Sequence, residues 1–222
     1  MIIATKNKQR RYAIISFIIA ILLAALVKLN FVLPVALDNA IHNLFNQFQT
    51  PFGDVMMSIA AFLGNPIVDI VYALILAGVL IIAELRIPAI WTVLTLLFGN
   101  LFTTIIKIIV NRDRPIGHLL ADNGPSFPSN HVFSLFVVIF IVVILVIPNI
   151  NSPLTQLISR WLIVVIGLMT IMSRIYFNAN FLSDTFAAVL LAYAWVILSA
   201  SLYPKLATFL KSNITLFKHD EI

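Results

Sequence analysis

Six stretches of this chain come close to the roughly 20 consecutive apolar residues that carry a helix across a bilayer. They lie near residues 12–30, 66–85, 88–110, 131–148, 157–175 and 183–203. Inside hydrocarbon, backbone polar groups must find partners within the protein, so such runs are committed to helices. The predicted fold class is therefore all-α, an integral membrane bundle of six transmembrane helices. Only 10% of the residues are charged and 61% are hydrophobic, against about 25% charged in soluble domains. The 222 residues read as a single membrane domain, 1–222. Within it a basic N-terminal segment, 1–11, and a C-terminal tail, 204–222, are expected on the cytoplasmic side.

The first run is too long for a cleaved signal peptide and is expected to stay as an anchor. Between the first two spans, the segment PVALDNAIHNLFNQFQTPFGDVMMSIAAFLGNP has apolar residues at helical spacing interrupted by polar ones. That pattern predicts one or two short helices along the interface. No pair of spans reads as broken in the manner of transporter helices, and Asp69 is the one acid well inside a predicted span. The chain has no cysteine, which excludes disulfides, thiol catalysis and cysteine-ligated metals. Its four histidines are too scattered in sequence to suggest a zinc site.

With the N-terminus inside, Lys6, Lys8, Arg10, Arg11, Arg86, Arg160, Lys205, Lys211 and Lys218 all fall on the cytoplasmic face, as the positive-inside bias expects. Lys28 can snorkel at the outer end of the first span. That leaves Lys107, Arg112, Arg114 and Arg174 on the outer side, in just two segments. The first, KIIVNRDRP, places Lys107 and Arg114 nearly two helical turns apart, on one face if the third span continues to Arg112 or beyond. Pro115 disfavours a helix at Arg114, so the helix is expected to stop near there. Two cations gathered in this way suit an anion. The plainer reading is that they anchor lipid head groups, with Arg112 of that kind and paired with Asp113.

A third segment, GPSFPSNHVF at 124–133, opens the fourth span. Ser129 is a good helix cap, the amides after it form an anion-attracting helix end, and His131 in the first turn is placed to supply a proton. By itself such a turn is more often a capped helix and nothing more. In SRIYFNANFLSD, 173–184, Arg174 has the planar fork that suits phosphate or carboxylate. Asn180 and Asp184 would be neighbours on a helix face. Arg174 paired with Asp184 is the purely structural alternative.

Taken together, K-x6-RP at 107–115, PS-x-H at 128–131 and SR-x9-D at 173–184 resemble the three signature motifs of the type 2 phosphatidic acid phosphatases. These are the membrane branch of the group that includes vanadium haloperoxidases. The resemblance covers the whole bundle and implies a lipid phosphate or diphosphate phosphatase. It assigns phosphate binding to Lys107, Arg114, Ser129, the amide of Asn130, and Arg174. It makes His131 the general acid on the departing alcohol and gives Asp184 the task of orienting a histidine that attacks phosphorus. No metal or cofactor is required. The expected partners are a lipid phosphate or diphosphate and the surrounding membrane lipids, with no nucleic acid. Phosphatidate, phosphatidylglycerol phosphate and undecaprenyl pyrophosphate are the substrates it suggests. The family further implies a site on the extracytoplasmic face of a bacterial plasma membrane.

The chain departs from this pattern where the chemistry is most demanding. The nucleophile should stand six residues after Arg174 and four before Asp184, and that position is Asn180. An amide nitrogen has its lone pair delocalised into the carbonyl and is no useful nucleophile. No histidine occurs between His131 and His219. Asn130 also replaces the family's usual glycine, which narrows the pocket or adds a donor to the phosphate. Several readings remain open. The chain is a natural phosphate-binding protein without turnover, a deliberate His-to-Asn variant, or an enzyme using another route through Asp184, His131 or His118. From another class, it is a transporter or channel component.

Overall fold

Apolar helix formers continue almost without interruption through this chain, and helices take up nearly all of it. The computed structural model describes residues 3–119 and 122–217, in which there is no strand. Eight helices follow in order: α1 (Asn7–Lys28), α2 (Val32–Gln47), α3 (Pro51–Leu63), α4 (Pro66–Ile82), α5 (Arg86–Val110), α6 (Asn130–Leu145), α7 (Pro153–Tyr176) and α8 (Leu182–Asn213). Five of them, α1, α5, α6 with the turn that follows it, α7 and α8, are long and apolar enough to cross a bilayer. The pair α3 and α4 meets the same test together, bent by 50°.

That bend corrects the expectation of unbroken spans and of an interfacial segment ending at residue 64. Gly64 closes α3, the Asn65 side chain accepts from the Ile67 amide at 2.9 Å to cap α4, and Pro66 starts it. This is the ordinary stop-and-start chemistry of two helices, and it falls where the second span was expected to begin. The segment 31–64 does form two helices, as its spacing predicts. Yet α3 packs along α7, with the Thr170 hydroxyl reaching the Ala60 carbonyl. Gly64 lies so close to Thr170 that a Cβ there would stand 2.3 Å from its Cγ2.

The outer helices also run past their predicted ends. α1 begins at Asn7, inside the basic N-terminal segment, and α8 continues through Pro204 to Asn213, inside the expected tail. Lys218 and His219 lie outside the described residues. Packing centres on α8, which faces α1 and α6. Its buried side includes Ala187, Ala188, Ala192 and Ala200, and small residues of this kind let membrane helices approach closely. Polar bonds join α5 to α8 in the same layer: the Trp195 indole donates to the Thr95 carbonyl at 2.8 Å, and Thr95 and Ser199 hydroxyls meet at 2.6 Å. Asp69 is fully buried near the start of α4, and neither carboxyl oxygen finds a hydrogen-bond partner among the described residues.

Candidate phosphate site

At one end of the bundle the chain between α5 and α6 folds over the turn between α7 and α8. α5 stops at Val110, earlier than Pro115 alone would require. Asn111 adopts the left-handed conformation (φ 50°, ψ 52°) and its amide bonds the Lys107 carbonyl at 2.8 Å. This is the geometry that asparagine tolerates better than most residues at a helix end. Lys107 and Arg114 therefore do not share a helix face. They converge instead because the loop doubles back. Lys107 Nζ donates to the Pro125 carbonyl at 2.6 Å, and Arg114 Nε donates to the Gly124 carbonyl at 3.0 Å.

Arg112 is not a surface anchor and is not paired with Asp113. Its guanidinium reaches Asp184 Oδ1 at 2.6 Å and Asp38 Oδ2 at 2.7 Å, and lies 4.0 Å from the centre of the Phe181 ring. Asp38, carried on α2, also accepts from the Ser183 amide at 2.9 Å and its hydroxyl at 2.6 Å. Arg112 thus bridges two buried carboxylates and ties α2 to the start of α8. The remaining Asp184 oxygen accepts from the Phe181 amide at 2.9 Å, which caps α8. Arg174 consequently does not pair with Asp184.

Ser129 occupies the position preceding α6, as predicted, but its hydroxyl does not cap that helix. It donates to Asn180 Oδ1 at 3.0 Å. Arg174 Nε donates to the same oxygen at 3.2 Å, and Asn180 Nδ2 donates to the Ser126 carbonyl at 2.7 Å. Asn180 precedes α8, in the turn after α7, so its side chain and that of Asp184 do not form the helical pair expected from their spacing. The two motifs are instead joined through the backbone, where the Ser129 amide donates to the Asp184 carbonyl at 3.2 Å. Ser129, Arg174, Asn180 and Asp184 are each at most 2% exposed.

His131 stands in the first turn of α6, near enough to Asp122 to interact with it electrostatically. The amides of that turn have no carbonyl four residues back within the helix, which leaves a positive helix end facing the site. Asn130 brings a side-chain oxygen that is buried and unpartnered among the described residues. Sequence reasoning missed Asp122. Its carboxylate bonds Arg174 Nη2 and lies 3.8 Å from Arg114 Nη1. Burial pushes the Asp122 carboxyl up, but Arg174, with His131 and Arg114 adding to it, outweighs burial and holds it below the ordinary carboxylate range. A polar cavity of about 390 Å³, lined by Asn111, Asp113, Arg114, His118 and Asp122 among others, opens beside it. The excess of basic residues on this side was the available signal for buried acids such as Asp38 and Asp122, although it does not say which acids answer it.

Chemically, the cluster gathers groups that suit an anion: two guanidinium groups, one ammonium, a hydroxyl and a helix N-terminus, with an imidazole beside them. Among curated proteins none matches the chain. The crystal structure of a transmembrane PAP2 type phosphatidylglycerolphosphate phosphatase from Bacillus subtilis superposes with a TM-score of 0.73 at 20% identity, over 87% of this chain and 96% of that one. A family model described as the PAP2 superfamily matches residues 88–207, an interval that contains Lys107, Arg114, Ser129, His131, Arg174, Asn180 and Asp184. With more than half of its length matched, this multi-pass membrane protein belongs to the PAP2 superfamily.

Proposed function

We propose that this protein binds the phosphate of a membrane lipid in a phosphatase-type site and does not turn it over through a covalent intermediate. The observation that carries the reading is the engagement of Asn180. Its nitrogen is a donor fixed on the Ser126 carbonyl, and its oxygen is held by Ser129 and Arg174. Neither atom can present an electron pair to phosphorus as an imidazole would. Lys107, Arg114, Arg174, Ser129 and the first amides of α6, including that of Asn130, supply the charge and donors for a phosphoryl group. His131 keeps an imidazole at the edge, and Asp184 is held in place by Arg112.

The ligand class follows from the setting: a phosphate on an acyl or prenyl anchor reaches a site at the end of a membrane bundle by diffusing in the leaflet. Phosphatidylglycerol phosphate, named for the Bacillus subtilis protein, belongs to this class, as do phosphatidate and undecaprenyl pyrophosphate. The positive-inside bias supports cytoplasmic termini and a site on the extracytoplasmic face of a plasma membrane. His131 stands beside the cluster in the first turn of α6, which supports a second reading: slow hydrolysis in which this imidazole activates water directly.

Phosphate release from phosphatidate and undecaprenyl pyrophosphate by the purified protein, run beside Asn180→His, separates these readings. The parent should release no more than an Arg174→Ala control, whereas Asn180→His should exceed it by at least about 10²-fold. Parent turnover that is lost in His131→Ala would favour direct water activation. Silence of both proteins, with no phosphatidate binding, would remove the phosphate assignment.

A further inference from the structure

Three cations meet in this site, and each already donates to an acceptor of the chain itself. Lys107 donates to the Pro125 carbonyl, Arg114 to the carbonyls of Gly124 and Ala179, and Arg174 to Asn180 and Asp122. All but two of these acceptors, Ala179 and Asn180, belong to the short stretch 122–125, between the first and second motifs. Asp122 differs from the rest because it brings a full negative charge. A carboxylate and a phosphate present similar oxygen edges to a guanidinium fork. The Asp122 carboxylate sits where Arg174 and Arg114 can both reach it, beside His131, and lines the polar cavity.

We propose that Asp122 is an internal anion that occupies the phosphate position, so that the site as folded is closed and a lipid phosphate must displace this carboxylate to bind. The proposal rests on the reading of the cluster as a phosphate site and adds its regulation. Displacement has a simple charge balance: one anion leaves the two arginines and another arrives, so the cluster, which also holds Lys107, takes up at most about one further negative charge. The loop carrying Asp122 has room to move, since its residues 122–125 line the cavity of about 390 Å³ and a Cβ built on Gly124, at φ 79°, would meet nothing within 4 Å. The lowered pKa of Asp122 agrees with a carboxylate that stays ionised as a competitor at neutral pH. An apparent affinity is lowered by the fraction of molecules in which the site is open. A plug in place about nine-tenths of the time therefore weakens binding about tenfold.

The test measures binding of two probes to purified protein in detergent: inorganic phosphate and a short-chain phosphatidate. The variants are Asp122→Asn, Asp122→Ser, Arg174→Ala and Asp113→Asn. Asp113→Asn removes the same charge from the same cavity at a residue that forms no ion pair with the arginines, and so reports the general electrostatic effect. The expected result is that both Asp122 variants bind at least about tenfold more tightly, that Asp113→Asn changes affinity less than twofold, and that Arg174→Ala loses binding. A gain for phosphatidate alone also supports the plug and identifies the anchored lipid as the group that displaces it. An unchanged affinity in the Asp122 variants, or an equal gain in Asp113→Asn, overturns the plug and leaves the phosphate site standing if Arg174→Ala still loses binding. Absence of binding in every variant, with the Asp122 variants folded by size-exclusion chromatography, overturns both the plug and the phosphate site.

Discussion

Arg112 is the residue whose role changes most between sequence and structure. Arg112 Nη1 and Nη2 hold Asp184 and Asp38, whose side chains are 0% and 2% exposed. Removing the arginine leaves two buried carboxylates uncompensated, so Arg112→Ala should cost about 3–5 kcal/mol. Arg112→Lys should recover only part of this, because one ammonium cannot span two carboxylates as a fork does. Thermal unfolding in detergent measures both. Asp122 gives a pH-dependent signature of the opposite kind. Its carboxyl is more acidic folded than unfolded, so its contact stabilises the protein above the ordinary carboxylate pKa, about 4, and that contribution disappears as pH falls through the lower folded value. The difference in Tm between the parent and Asp122→Asn should therefore be constant near neutrality and shrink only in acid. The resemblance of three motifs to a known family is what grouped Lys107, Arg114, Ser129, His131, Arg174 and Asp184, since each segment was ambiguous by itself and helical spacing did not account for the convergence of Lys107 and Arg114. Asp38 and Asp122 were not legible, because their partners are chosen by the return path of a loop and by the docking of α2, neither of which leaves a periodic trace.

Individual helices were easiest to read where apolar length decided the outcome, and hardest where a single capping residue did. Asn111 ends α5 by turning left-handed at φ 50°. Asn111→Gly should be tolerated, whereas Asn111→Val should destabilise by roughly 1–2 kcal/mol and misplace Lys107 and Arg114 together, seen as a lower Tm and weaker phosphate binding. At the α3–α4 bend, Gly64→Ala would put a methyl 2.3 Å from Thr170 Cγ2. Overpacking of this kind costs about 1–3 kcal/mol. Thr170→Ala in the same chain should return most of it, and a double-mutant cycle of Tm values reports the coupling. The bend itself was hidden because its polar letters, Gly64, Asn65 and Pro66, read equally well as the start of a span.

Taken as a whole, the bundle places its charged cluster at one end and most of its remaining basic residues elsewhere, which makes its orientation testable. The chain has no native cysteine, so single introduced thiols report without background. Asn123→Cys should react with a membrane-impermeant maleimide added outside intact cells, and Asn213→Cys should react only after permeabilisation; the reverse pattern would invert the topology. The six-span class was legible because hydrocarbon thickness allows few alternatives, while the site was only half legible because function here depends on what fills the space between motifs. α8 connects these matters. Its 32 residues make a rod about 48 Å long, longer than the roughly 30 Å of hydrocarbon it crosses. One end is clamped through Asp184 to Arg112 and α2, so the other must emerge from the opposite side of the membrane or lean over. Held in this way, like an oar in a rowlock, α8 carries its last turns beyond the apolar layer or lies aslant within it.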